Sequence, residues 1–298
     1  MAYLKDWSMA IKRIPKKPPW LKRPLPNRPE YEQTRKRLSS GNLHTVCQEA
    51  HCPNIFECFS HKTATFLILG EYCTRGCTFC AVQKGPKGLP DPGEPQRVAE
   101  AAAEMGLRYV VVTSVTRDDL KDGGAGHFAQ TISRVRQSID KARIEVLIPD
   151  FQGSKAALQT VLDAAPDVLN HNIETVPRLY PEVRPQADYL RSLALLKYAA
   201  GYAADIPTKS GIMLGFGETD EEVERTLSEL RASGCRILTL GQYLQPSRHH
   251  HPVVRYIPPE AFDHWRQVAL DMGFSEVSSG PLVRSSYHAK EIFQRLDG

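Results

Sequence analysis

The chain has 298 residues, of which 41% are hydrophobic and 24% charged, with a net charge of +4. This is an ordinary globular composition, and the length suits a single α/β barrel better than one small core. No apolar run approaches the roughly 20 residues of a membrane span, and the opening "MAYLKDWSMAIKRIPKK" lacks a signal peptide's apolar core and small-residue cleavage site. A cytoplasmic location is therefore expected, with no membrane partner.

Residues 1–30 carry eight Lys/Arg and two acids, a net +6 that leaves −2 for the rest. This Pro- and Lys-rich arm reads as extended rather than helical. It is either a solvated tail or a contact for an acidic partner or nucleic acid.

From Thr65 onward strands and helices alternate. Thr65–Leu69 is a short β-rich run. In Glu94–Met105 the apolar residues Val98, Ala101, Ala102 and Met105 fall on one helical face. Tyr109–Thr113 is a buried-looking strand, and Phe128, Ile132, Val135 and Ile139 mark the next helix. A strand at Ile144–Ile148 precedes a helix that Ser154 can cap, ending near Leu162. Val168–Ile173 is a strand, Tyr189–Tyr202 a helix and Lys209–Leu214 a strand. "TDEEVERTLSELRASG" opens with a Thr219–Glu222 capping-box pattern. A strand at Arg236–Leu240 and a helix at Pro259–Met272 complete six β/α units. Strict alternation implies a parallel sheet, either a partial barrel or a doubly wound sheet, with its chemistry at the C-terminal strand ends.

Seven cysteines, six of them between Cys47 and Cys80, point to metal binding rather than disulfides. Cys73, Cys77 and Cys80 follow the first strand as C-x3-C-x2-C, a thiolate set one ligand short of a closed zinc site. Spacing alone leaves an iron–sulfur cluster, zinc or inert buried thiols open. A second triplet, Cys47, Cys52 and Cys58, stands upstream as C-x4-C-x5-C. Cys235 belongs to neither and reads as a buried structural thiol. The "RHHH" run, Arg248 to His251, reads as a polar loop, because consecutive histidines cannot all face one ion.

C-x3-C-x2-C with Phe79 before the last cysteine resembles the signature of the radical S-adenosylmethionine (SAM) superfamily. Both triplets together with Arg284-Ser285-Ser286-Tyr287 resemble the lipoyl synthase family. The likeness runs through "VTSVTRDDLKDGGAGHFAQTI", "NHNIETVPRLYPEVRPQADY", "SGIMLGFGET" and "LTLGQYLQPSRHH", over about residues 40–290. It implies an α/β fold built as a partial (β/α)6 TIM-type barrel of the radical SAM type with N- and C-terminal extensions. The expected parts are the arm (1–30), an extension with the auxiliary cysteines (31–62), the barrel (63–280) and a C-terminal extension with the R-S-S-Y motif (281–298).

The resemblance further implies two 4Fe–4S clusters and SAM. Cys73, Cys77 and Cys80 would hold three irons of the first cluster, and SAM the fourth. Cys47, Cys52 and Cys58 would hold the auxiliary cluster, with Ser286 as its fourth ligand and Ser285 as the fallback. An alkoxide is a hard ligand among soft thiolates, and so an easier one to release. Phe79 would lie against adenine, or else belong to the core. Glu174 would accept from ribose hydroxyls, or else be a surface acid. Gly215 and Glu218 fall in a run similar to the superfamily's G-x-I-x-G-x-x-E, and Gly215 could equally be a turn glycine. The Gly-Gly-Glu run often found after the second strand is absent; "TSVTRDD" stands there, leaving Thr113 and Ser114 as candidates for the SAM amino end. Arg178, Arg184 and Lys209 are candidate cations for the SAM carboxylate or for acids on a carrier.

The implied reaction inserts two sulfur atoms, at C6 and C8 of an octanoyl chain on a carrier lysine. The implied partners are octanoylated carriers (2-oxoacid dehydrogenase lipoyl domains and the glycine-cleavage H protein), an electron donor such as ferredoxin or flavodoxin, and an iron–sulfur carrier that repairs the auxiliary cluster. Nucleic acid is not among them. A methylthiotransferase or a biotin-synthase-like enzyme is the alternative.

Overall fold

A computed structural model describes residues 16–22, 29–61, 63–85 and 88–296. Helix α1 (Pro29–Ser40), strand β1 (His44–Thr45) and helices α2 (Val46–Glu49) and α3 (Ile55–Ser60) come first. They are followed by β2 (Thr65–Ile68), α4 (Glu94–Glu104), β3 (Tyr109–Ser114), α5 (Ala125–Ser138), β4 (Arg143–Leu147), α6 (Lys155–Asp163) and β5 (Val168–Asn170). Next are α7 (Tyr180–Val183), α8 (Tyr189–Tyr202), β6 (Thr208–Leu214), α9 (Asp220–Ala232) and β7 (Ile237–Gln242). The last elements are α10 (Pro259–Asp271), β8 (Glu276–Gly280) and α11 (Ala289–Leu296).

The eight strands form one sheet in chain order, with β1 antiparallel to β2 and every later pair parallel. A doubly wound sheet reverses its strand order partway, and this one does not. Crossovers between parallel neighbours are almost always right-handed, which would carry the helices to one face. The sheet is thus singly wound, and β2–β7 are the six expected strands. Among the described residues the edges β1 and β8 do not pair, so no closed barrel is formed.

Strand side chains alternate between faces. Phe66, Ile68, Val110, Val112, Ile144, Val146, Leu238 and Leu240 are fully buried in a core shared with Val98, Ala102, Phe128, Ile132 and Leu227 of the helices. The alternate positions, among them Thr65, Leu67, Leu147, Gly211, Met213, Thr239 and Gly241, face a cavity. Local signals behave as the sequence implies. Ser154 accepts from the Ala157 N–H, and Thr219 and Glu222 form the reciprocal capping box.

Several elements depart from the expectation. Helix α1 begins inside the basic arm, at Pro29, and Pro19–Leu21 is a 3-10 turn, so these described parts are not extended. Residues 1–15 and 23–28 lie outside the described residues. Helix α1 buries only Thr34 and Leu38, a stripe too narrow to stand out in sequence. Its Tyr31 ring lies 5.2 Å and 5.7 Å from the Phe56 and Phe59 rings of α3, which anchors the segment carrying the upstream cysteines. Strand β8 and helix α11 are also additional.

The segment between β8 and α11 crosses the inner face of the sheet. Val283 lies over Gly241 and Ser285 over Gly211: a Cβ on Gly241 would stand 2.1 Å from the Val283 carbonyl oxygen, and one on Gly211 3.0 Å from Ser285 Oγ. Glycine at these two places lets the strap approach the sheet. Helix α11 then packs Ile292 and Phe293 against Val168 and Ile237, with Tyr109 alongside. Those three residues begin or nearly begin β5, β7 and β3, so the strap passes from the C-terminal toward the N-terminal strand ends.

Candidate active site

The Cys73–Cys80 loop leaves the C-terminal end of β2 and is tied to its neighbours through backbone. Thr74 N–H donates to Thr116 O at 2.9 Å, Cys73 N–H to Gln83 O at 2.9 Å and Thr78 N–H to Val183 O at 3.0 Å. Cys73 Sγ accepts from the Arg75 and Thr116 N–H groups at 3.4 and 3.3 Å. Arg75 reaches outward from the same loop. Its guanidinium forks onto Asp118 at 2.7 and 2.9 Å and also meets Asp150. Burial works against the Asp150 charge, but Arg75 outweighs it and holds the carboxyl down at about 2.

The upstream triplet is ordered by α2, α3 and the strap. The Cys47 thiol lies beside Thr65, and the Thr65 hydroxyl donates to Ser286 Oγ at 2.8 Å. Tyr287 donates to Glu57, next to Cys58, at 2.8 Å, and Asn54 donates to Leu282 O at 2.7 Å. Ser286 is thereby brought to the triplet. Ser285 points elsewhere and donates to Asn172 Oδ1 at 2.8 Å.

Both triplets, Ser285 and Ser286 line one cavity of about 450 Å³. Phe79, Thr113, Ser114 and Glu174 line it too. Phe79 meets Phe216 edge-on, with ring centroids 6.4 Å apart. Thr113 spends its hydroxyl proton on Leu147 O at 2.9 Å. Glu174 continues β5 by pairing its backbone with β6, at a φ of 68°. Burial pushes its carboxyl up, opposed by Arg184, the Asn172 amide and Arg284.

Gly215 and Glu218 take a different part. Neither is among the cavity's lining residues. The Glu218 carboxylate accepts from the Gly215 and Phe216 N–H groups at 2.7 and 2.9 Å, so it folds the loop after β6. The three candidate cations also separate. Lys209 is buried against Glu145 at 2.8 Å, two residues before the cavity-facing Gly211. Arg178 pairs with Glu222 at the surface at 2.7 Å. Only Arg184 lines the cavity. The Arg248–His251 loop packs on the first triplet: His251 N–H donates to Thr78 O at 2.9 Å, and His250 Nε2 is 3.2 Å from Cys80 O. Cys235 is a fully buried thiol 3.3 Å from Ile237 O.

Sequence reasoning did not single out Arg75, His171 or Asn172, all of which line the cavity, and named Arg284 only as part of the R-S-S-Y motif. The run "HNIET" and the pairing of Arg75 with Asp118 of "TRDD" were the available signal. Burial, with the nearby Arg184, pulls His171 down to about 4, so the ring is neutral between Ile148 O and Ser192 Oγ.

The donor set suits iron–sulfur clusters. Burial pushes the Cys47 and Cys80 thiols up to about 12, and moves Cys58 and Cys77 upward as well. Coordination to a metal is what turns such thiols into thiolates. Among the described residues no three His, Cys, Asp or Glu groups converge on one ion. The cavity wall also carries polar atoms with no hydrogen-bond partner among the described residues: Ser114 Oγ, Arg184 Nε and Gln245 Oε1. Buried polar groups rarely go unpaired, and a polar ligand such as SAM would satisfy them.

Residues 67–230 match the radical SAM superfamily, and residues 5–52 match the N-terminal domain of lipoyl synthase of the radical SAM family. A lipoyl synthase of Caldicellulosiruptor saccharolyticus is 55% identical over 93% of this chain and 97% of its own. One from Desulfotalea psychrophila is 56% identical over 94% of each. Among solved structures, Streptococcus suis SuiB bound to S-adenosylmethionine aligns with a TM-score of 0.54 at 11% identity, over 80% of this chain and 51% of that one, a likeness of fold. The chain belongs to the lipoyl synthase family of radical SAM enzymes.

Proposed function

We propose that the chain inserts sulfur at C6 and C8 of an octanoyl group amide-linked to a carrier lysine, and that the cavity walled by both cysteine triplets is where this happens. The observation that carries the reading is the shared cavity itself: two cluster sites open onto one space. Cys73, Cys77 and Cys80 hold the SAM-binding 4Fe–4S cluster, and Cys47, Cys52, Cys58 and Ser286 hold the auxiliary one. When bound, the clusters and SAM supply the one-electron chemistry that activates an unreactive C–H bond, together with the sulfur.

The chain's own residues bind, orient and exclude water. Ser114, with Thr113 beside it, faces the SAM amino end, and Arg184 offers a charge for the carboxylate. Glu174 and Asn172 accept from ribose hydroxyls, and Phe79 lies near the base. Leu67, Leu147, Met213 and Val283 give the octanoyl chain an apolar wall.

The carriers are octanoylated lipoyl domains of 2-oxoacid dehydrogenases and the glycine-cleavage H protein. Lys17 of the basic arm lines the cavity, which supports a steering role toward an acidic carrier. A ferredoxin or flavodoxin supplies electrons, and an iron–sulfur carrier rebuilds the auxiliary cluster. Among the described residues no helix is long and apolar enough to cross a membrane. The cytoplasm, where thiols stay reduced, is the fitting compartment.

Anaerobically purified protein should contain about eight irons and eight sulfides per chain, as two cubane clusters require. With SAM, a reductant and an octanoylated lipoyl domain it should yield the lipoyl product by mass spectrometry. Zinc in place of iron, or a methylthiolated product, would overturn the reading.

A further inference from the structure

The strap that carries Ser286 also carries Ser285, and the two neighbouring hydroxyls serve different ends of the cavity. Ser286 faces Thr65 and, through it, Cys47. Ser285 donates to Asn172 Oδ1 at 2.8 Å, and Asn172 Nδ2 donates in turn to Glu174 Oε1 at 3.1 Å. The order of donors is fixed by chemistry. A carboxylate only accepts, so the Asn172 amide must turn its NH2 toward Glu174, which leaves its oxygen for Ser285. The Ser285 hydroxyl therefore holds the amide from its other side. Arg284, on the same strap, lies close enough to Cys52 of the upstream triplet and to Glu174 for its charge to attract both.

We propose that Ser285 is a positioning residue that links the seating of the C-terminal strap to the SAM-facing carboxylate of Glu174. The inference rests on the reading that the Cys73 site binds SAM. Glu174 sits at a positive φ, and Asn172 lies on the short turn between β5 and that residue. Without Ser285 the amide keeps one partner instead of two. Two coupled sites affect each other equally. SAM that engages Glu174 should therefore tighten the strap, and a seated strap should tighten SAM binding.

Equilibrium dialysis of labelled SAM against the anaerobic, cluster-loaded, unreduced holoprotein tests the first half. Ser285→Ala should weaken SAM binding about fivefold, the worth of one neutral hydrogen bond. Ser285→Thr, which keeps the hydroxyl, should restore it. Iron and sulfide contents of both variants should equal the parent's, since Ser286 is untouched. The second half is read by limited proteolysis of residues 281–296. SAM should slow cleavage there in the parent and in Ser285→Thr, and not in Ser285→Ala. Equal SAM affinity in Ser285→Ala and the parent, or loss of affinity that Ser285→Thr does not restore, overturns the inference and leaves the proposed function standing. A parent that carries both clusters and binds no SAM overturns that function, and the inference with it.

Discussion

The Thr65 hydroxyl donates to Ser286 Oγ at 2.8 Å across 221 positions of sequence, and the Cys47 thiol lies beside the same threonine. One threonine at the start of β2 thus places the R-S-S-Y motif against the upstream cysteines. Ser286→Ala removes the hydroxyl without disturbing the Cys73 loop. The variant should still cleave SAM to 5′-deoxyadenosine, and its lipoyl product should fall by about tenfold or more, as expected when a cluster's environment is disrupted. Both are measured in one anaerobic assay by mass spectrometry. An undiminished lipoyl yield would remove Ser286 from the ligand set.

The Lys209–Glu145 pair makes a prediction about stability alone. Both side chains are 1% exposed, and Glu145 also accepts from Tyr109 and Asn170, at 2.8 and 3.0 Å. Removing one partner strands the other charge. Lys209→Met should therefore cost about 3–5 kcal/mol, seen as a lower melting temperature. Neither residue lines the cavity, so SAM affinity in the folded variant should hold. A loss below about 1 kcal/mol, the range of an exposed pair, would show that the pair contributes little.

His171 makes the fold acid-sensitive. Its folded pKa is lowered to about 4 from an ordinary 6.5. Between those values the unfolded chain binds the proton and the folded one does not, so acid favours unfolding. The contribution is greatest above pH 6.5 and is lost as pH falls toward 4, by at most about 1.4 kcal/mol for each pH unit. His171→Gln, which cannot titrate, should show a smaller stability difference between pH 7 and pH 5 in denaturant unfolding. An unchanged difference would assign the acid sensitivity to other groups.

The regular parts of the fold were legible because they obey short-range rules. The caps at Ser154 and Thr219 and the six β/α units depend on neighbours within a few residues. Both cysteine triplets stood out by spacing, and the part proposed for Ser286 came only through a resemblance. What escaped depends on partners far along the chain. Lys209 is a candidate cation until Glu145, 64 positions away, is seen to neutralise it. Glu218 is a candidate ligand until its carboxylate is seen turned onto the loop backbone, and no local pattern tells the two apart. Asn172 acquires its part only through Ser285, 113 positions on. Strand β1, at two residues, is too short to show a period.

The strap has a consequence for biosynthesis. Translation delivers all six cluster cysteines and every strand of the sheet before it reaches Ser286. A nascent chain halted just after Gly280 would hold both cysteine triplets and still lack Ser286. If Ser286 is the auxiliary ligand proposed above, the thiolates of both sites are made before the one hydroxyl that would complete the second.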